Sequence, residues 1–94
     1  VQALDSLAKL LATLAPADGG DPNRAIELAS RACSITGNRV ASYLETLALS
    51  YAAAHRFDDA TKAAQDAIGA ARAAGQTDLA REIESHMDRF RYGR

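Results

Sequence analysis

The 94-residue chain has no tryptophan, one cysteine, one methionine and two prolines. With Cys33 alone, no intrachain disulfide can form, and the redox compartment goes unmarked. Pro16 and Pro22 lie close together, so the rest of the chain is free to form unbroken helices. Aromatic residues make up only 5% of the sequence, which leaves the core to be built from smaller side chains. No apolar run approaches the roughly 18 residues of a membrane-spanning helix, and no charged-then-apolar leader opens the chain, so a soluble segment is expected. An excess of one charge is missing too: 11 basic and 12 acidic residues are scattered to a net −1, which argues against a nucleic-acid or anionic-membrane surface. Arg89, Arg91 and Arg94 form the single basic cluster, as suits the negative end of a helix dipole. The chain starts at Val1 rather than methionine, from which a piece of a longer, processed protein is expected. Its wealth of alanine and arginine points toward a high-GC bacterial genome.

What the chain does have is a repetition. Leu4-x2-Leu7-Ala8-x2-Leu11 returns as Leu44-x2-Leu47-Ala48-x2-Tyr51, and Ala25, Ala29 and Ala32 return as Ala60, Ala64 and Ala67. The upstream halves are 40 positions apart and the downstream halves 35, so an insertion of five lies inside Pro16 to Arg24, where a loop is expected. A repeat that cannot bury its own apolar face must stack on a neighbour, and this period with this small-residue pattern predicts a helical solenoid.

The spacing predicts five helices. Leu4, Leu7, Ala8, Leu11 and Leu14 fall on one stripe of a helix over about 2–14, stopped by Pro16. After the turn formers Asp18, Gly19, Gly20 and Asp21, Asp21-Pro22 reads as an N-cap and first turn for a helix over about 22–36, ended by a left-handed Gly37. Asn38, or a capping box of Ser42 with Glu45, opens a third helix reaching about Ala54. His55-Arg56 makes a tight turn, Asp58 and Asp59 start a fourth helix running to about Ala74, and Gly75 ends it. Gly69 inside that helix implies a close helix contact. Leu79, Ile83, Met87 and Phe90 form the stripe of a fifth helix, which frays at Tyr92-Gly93-Arg94. Leu47 and Tyr51 are expected in the core against Ala64 and Ala67, where a face without bulk lets helix axes approach closely.

The second copy resembles the tetratricopeptide repeat, whose first helix carries W-x2-L-G-x2-Y and whose second carries A-x3-F-x2-A. Leu44, Leu47, Ala48 and Tyr51 take the positions of the first signature, and Ala60, Ala64 and Ala67 those of the second. Leu44 replaces the tryptophan, Ala48 the glycine and Ala64 the aromatic, and His55 stands where the family usually has glycine. The resemblance implies an all-α, α-α superhelix of two helical hairpins and a C-terminal capping helix: one repeat over about 2–36 with an inter-helix loop at 15–22, a second over about 39–74, and a cap over about 77–91. Arrays of this kind usually need about three units. Self-association is therefore expected through an open end near Val1, Leu4 and the second-helix alanines.

Chemistry has few candidates. Cys33 lies beside Ala32 on an amphipathic helix with no base in view, so an inert buried thiol is expected. His55 and His86 have no companion ligand at metal-site spacing. Glu82, Glu84 and Asp88, like Asp58 with Asp59, lack apolar neighbours in sequence that would raise a carboxyl pKa. Gly19 and Gly20 lack the lysine of a phosphate loop. No catalytic residue, cofactor or metal is expected.

What remains is a surface. In the family, the flank of each first helix lines a concave groove. Here that flank carries Asp5, Lys9 and Ala12, then Glu45, Leu49 and Ala52, with Gln2, Thr13, Ser42, Thr46 and Ala53 a turn away. Asp5 and Thr46 stand where a lysine- and asparagine-rich carboxylate clamp would need donors, so that clamp is not expected. The resemblance implies a non-catalytic module that binds a peptide or a neighbouring protein domain. The alternative is a structural or oligomerisation end-cap of a longer protein whose activity lies upstream.

Overall fold

The computed structural model describes residues 2–14 and 19–91. Its elements are α1 (Gln2–Thr13), α2 (Pro22–Ile35), α3 (Ala41–Ala53), α4 (Phe57–Ala73) and α5 (Thr77–Arg91). The expected stop at Pro16, the side chain of Phe90, the arginine cluster's side chains and the fraying at 92–94 lie outside what is described.

Local chemistry accounts for most of the helix ends. The Asp21 carboxylate accepts from the Arg24 N–H at 3.1 Å, and Pro22 occupies the first turn, where a missing donor costs nothing. The Asp21 N–H in turn donates to the Leu11 carbonyl at 3.0 Å and ties the first loop back to α1.

The other three links share one geometry. After α2, the N–H groups of Gly37 and Asn38 donate to the carbonyls of Ser34 and Cys33 at 3.2 and 2.8 Å. After α3, His55 and Arg56 donate to Ala52 and Tyr51 at 3.0 and 2.9 Å. After α4, Gly75 and Gln76 donate to Arg72 and Ala71 at 3.1 and 2.7 Å. This is the Schellman pattern, and it requires a left-handed residue just past the helix: Gly37, His55 and Gly75 have φ of 68°, 60° and 73°.

His55 adopts that conformation against the preference of a side chain with a Cβ. Local contacts offset the strain. Its ring meets Phe57 edge-on with centroids 5.7 Å apart, while Arg56 lies 5.0 Å over the Tyr51 ring and pairs with Asp59 at 2.7 Å.

Helix α3 begins differently from expectation. Its N-cap is Val40, with no side-chain hydrogen bond. Asn38 is spent in the preceding turn at φ 58°, and Glu45 bonds to His86 instead of capping.

Each helix packs on the next in the chain, and α1 also packs on α3. Two apolar clusters result. The larger joins Cys33, Leu44, Ala48, Ala60, Ala64, Ala67, Ala71 and Ile83 with others, and draws in Leu47, Leu49, Tyr51 and Met87 at its edge. The smaller is Ala8, Leu28 and Ala29, flanked by Leu4, Leu11 and Leu47. Leu47 and Tyr51 are thus half-buried edges of the core rather than its centre.

Helix α3 buries residues on nearly every side, including Thr46 and Ser50, because α1, α2 and α4 all touch it. Their hydroxyls donate back to the Ser42 and Thr46 carbonyls at 3.0 and 2.8 Å, which satisfies them without a tertiary partner.

Three expectations need correction. The buried face of α1 holds Asp5 and Ala8, while Leu7 and Leu10 are 44% and 52% exposed, so the leucine stripe is wider than the arc its neighbours cover. The α2 alanines Ala25, Ala29 and Ala32 are fully buried and leave no open apolar end of their own. Gly69 is exposed, and a Cβ added there would meet nothing within 4 Å, so no internal contact explains it.

Candidate functional site

The flank expected to form a groove is split by burial. Gln2, Lys9 and Thr13 are exposed, and Ala12, Ser42, Glu45, Leu49, Ala52 and Ala53 are half-buried. Thr46 has no exposed surface, since it lies on the side of α3 enclosed by its neighbours, so it is not available to a ligand. Asp5 is also buried, at 7% exposure. One of its oxygens is 3.4 Å from the Lys9 ammonium, and the other, Oδ1, has no hydrogen-bond partner. Neither residue presents the polar contact foreseen for it.

A residue that the sequence did not point to joins this region. His86 of α5 places its Nδ1 3.0 Å from Glu45 Oε2 on α3. The pair is half-buried and is a point contact between α3 and α5, which packs mainly on α4 while Met87 lies against the larger cluster. Arg72 and Glu84 link α4 to α5 from the outside. No local signal connects Glu45 and His86, which are 41 residues apart. Of the expected flank residues, Glu45 thus meets α5 through His86, while Ala12, Leu49, Ala52 and Ala53 are half-buried and Lys9 is exposed.

Two surface hollows lie elsewhere. One of about 890 Å³ is bounded by the α2–α3 turn, α3 and α4, with Arg39, Leu44, Leu47, Asp66, Ala70 and Ala73 on its walls. The other, about 730 Å³, runs between α4 and α5 past Gln65, Ile68, Arg72, Glu84 and Met87. Gly69 borders both. Neither hollow includes any residue of the expected groove.

Burial, and secondarily the negative charge of Asp5, pushes the Cys33 thiol from its ordinary 9.0 up to about 11, which holds it as an unreactive neutral thiol at physiological pH. Among the described residues, no three histidine, cysteine or carboxylate side chains come together as metal ligands. No helix among them is long and apolar enough to cross a membrane. Comparison with protein-family models, with curated proteins and with solved structures gives no match.

Proposed function

We propose that this chain is a non-catalytic interaction module of the tetratricopeptide kind, with α1–α2 and α3–α4 as stacked hairpins of an α-α superhelix and α5 as the cap. In this reading it holds a peptide or a neighbouring protein domain against the face made by α1, α3 and α5. The observation that carries the reading is the correspondence between sequence repeat and contact order. The copies that begin at Leu4 and Leu44 coincide with α1–α2 and α3–α4, α1 packs on α3, and α5 touches α3 through the His86–Glu45 bond. A face assembled from successive first helices is where a stacked array offers a continuous strip to a ligand.

The strip is apolar at Leu49, Ala52 and Ala53, with Lys9 and Glu45 at its margins. An exposed ion pair contributes about 0–1 kcal/mol. A side chain buried on the apolar part contributes about 1.5–3 kcal/mol. The apolar anchor of a ligand therefore dominates, and charge sets its orientation.

A peptide array of apolar-anchored sequences with a neighbouring arginine or lysine, followed by NMR titration of the best binder, tests this. Shifts are expected at Leu49, Ala52, Ala53 and Lys9, and Leu49→Asp, checked for retained helicity, should abolish binding. Shifts confined to the hollow beside Leu47, Ala70 and Ala73 would move the site off this face. Failure of every peptide would favour the structural end-cap, a reading supported by the charged outer side of α5 at Asp78, Arg81, Glu82 and Asp88.

A further inference from the structure

The hollow of about 890 Å³ beside Leu44 and Leu47 is apolar at its floor and charged at its ends, and the internal repeat shows how it opens. The second helix of the first copy carries Ser34 and Ile35 where α4, 35 positions on, carries Gly69 and Ala70. Ile35 stands 59% exposed on α2, whereas the alanine in its place on α4 leaves the wall beside Leu47 low. Nothing within the fold requires the glycine. A Cβ at Gly69 would meet no atom within 4 Å, and a glycine inside a helix costs stability. Close approach of another backbone is a use that this absence of a side chain serves.

Helices α3 and α4 are joined by the tight turn at His55 and pack along each other, so the start of α3 lies beside the end of α4. Arg39 therefore stands at the Ala74 end of the hollow, and Asp66 lies two turns away. At about 1.5 Å per helical residue the two ends are about 12 Å apart. Among the described residues neither Arg39 nor Asp66 has an ion-pair partner. We propose that this hollow binds an extended peptide segment of another protein, with one apolar side chain on Leu47 and Ala70, an acidic residue at Arg39 and a basic residue at Asp66. An extended chain advances about 3.3 Å per residue, so charges four positions apart span about 13 Å and match the two ends. The openness of the site favours a peptide over a small molecule. Pockets for small molecules enclose about 70–90% of the ligand surface, whereas Arg39, Asp66, Gly69 and Ala73 are all exposed, so an occupant keeps one side in water. A peptide backbone laid over Gly69 meets that condition. The hollow shares no residue with the flank of α1 and α3 on which the proposed function rests, so the two sites stand or fall separately.

NMR titration of the intact chain with the blocked peptide acetyl-Lys-Ser-Leu-Ser-Glu-amide tests this. Binding below about 1 mM is expected, with amide shifts gathered at Arg39, Leu47, Gly69 and Ala70. Asp66→Lys should weaken it about three- to fivefold, as the loss of one exposed ion pair allows, and should bind acetyl-Glu-Ser-Leu-Ser-Glu-amide more tightly than the wild type does. Gly69→Ser/Ala70→Ile, which gives α4 the first copy's residues, should fill the hollow and abolish binding. Gly69→Gln, at an exposed position with open space around it, should keep the circular dichroism spectrum and also weaken binding, so the result does not depend on the double variant folding. Leu49→Asp should leave this binding unaltered, which separates it from binding on the other face. No binding of the Lys…Glu peptide up to about 1 mM would overturn the proposal. So would shifts centred outside the hollow, equal binding of acetyl-Ser-Ser-Leu-Ser-Ser-amide, or binding unchanged in Gly69→Gln.

Discussion

At the scale of single residues, the core runs on small side chains, and its one thiol behaves as an apolar group. Cys33 sits at 2% exposure within the larger cluster, and its pKa is pushed up to about 11 first by desolvation and then by Asp5. Between its ordinary 9.0 and about 11 the folded chain keeps a proton that the unfolded chain has lost. Stability from the buried neutral thiol is therefore fully present below pH 9.0 and is lost as pH rises toward about 11. The comparison is with Cys33→Ala, which removes this thiol and leaves every other side chain in place. The difference in denaturant midpoint between wild type and variant should shift toward the variant across that window. A difference that stays constant would show that Cys33 is not held in the protonated form.

At the scale of helices, Gly69 separates what the local sequence dictates from what packing adds. It is exposed within α4, its φ is not positive, and a Cβ there would touch nothing within 4 Å. Gly69→Ala should therefore stabilise the fold by about 0.5–1 kcal/mol, through backbone entropy alone. Thermal unfolding measures it, and a destabilised variant would mean that some contact depends on the missing side chain. The same division governs how much could be read from the sequence. Helix ends marked by Asp21-Pro22, Gly37 and Gly75 were legible because the signal sits in the residues that make the bond. The start of α3 was not, because Val40 caps it without a side-chain hydrogen bond. Periodicity placed five leucine and alanine positions of α1 on one stripe, but it could not say which part of that arc a neighbour would cover. Asp5 therefore went inside and Leu7 outside. Of the flank residues read from the sequence, Leu49, Ala52 and Ala53 keep some exposed surface, whereas the burial of Thr46 follows from three helices surrounding α3, and the Glu45–His86 bond from two helices meeting in space.

At the scale of the whole molecule, the two apolar clusters are joined through few side chains, and Leu47 packs against both. Helix α1 contributes Ala8, Leu4 and Leu11 to the smaller cluster and none to the larger, so its hold on α3 to α5 runs through α2 and the α1–α3 contact in which Leu47 takes part. In a chain where each element is stabilised mainly by its neighbours, weakening one junction should release the end beyond it before the middle unfolds. Leu47 is half-buried, so Leu47→Ala should cost about 2 kcal/mol, the low end for a leucine truncation. The loss should also be uneven. In native-state hydrogen exchange, amides of α1 should lose more protection than amides of α4, whose alanines at 60, 64, 67 and 71 stay sealed in the larger cluster. An equal loss in both helices would mean that the clusters unfold as one cooperative unit, and that Leu47 contributes to the stability of the whole rather than to the joint between its halves.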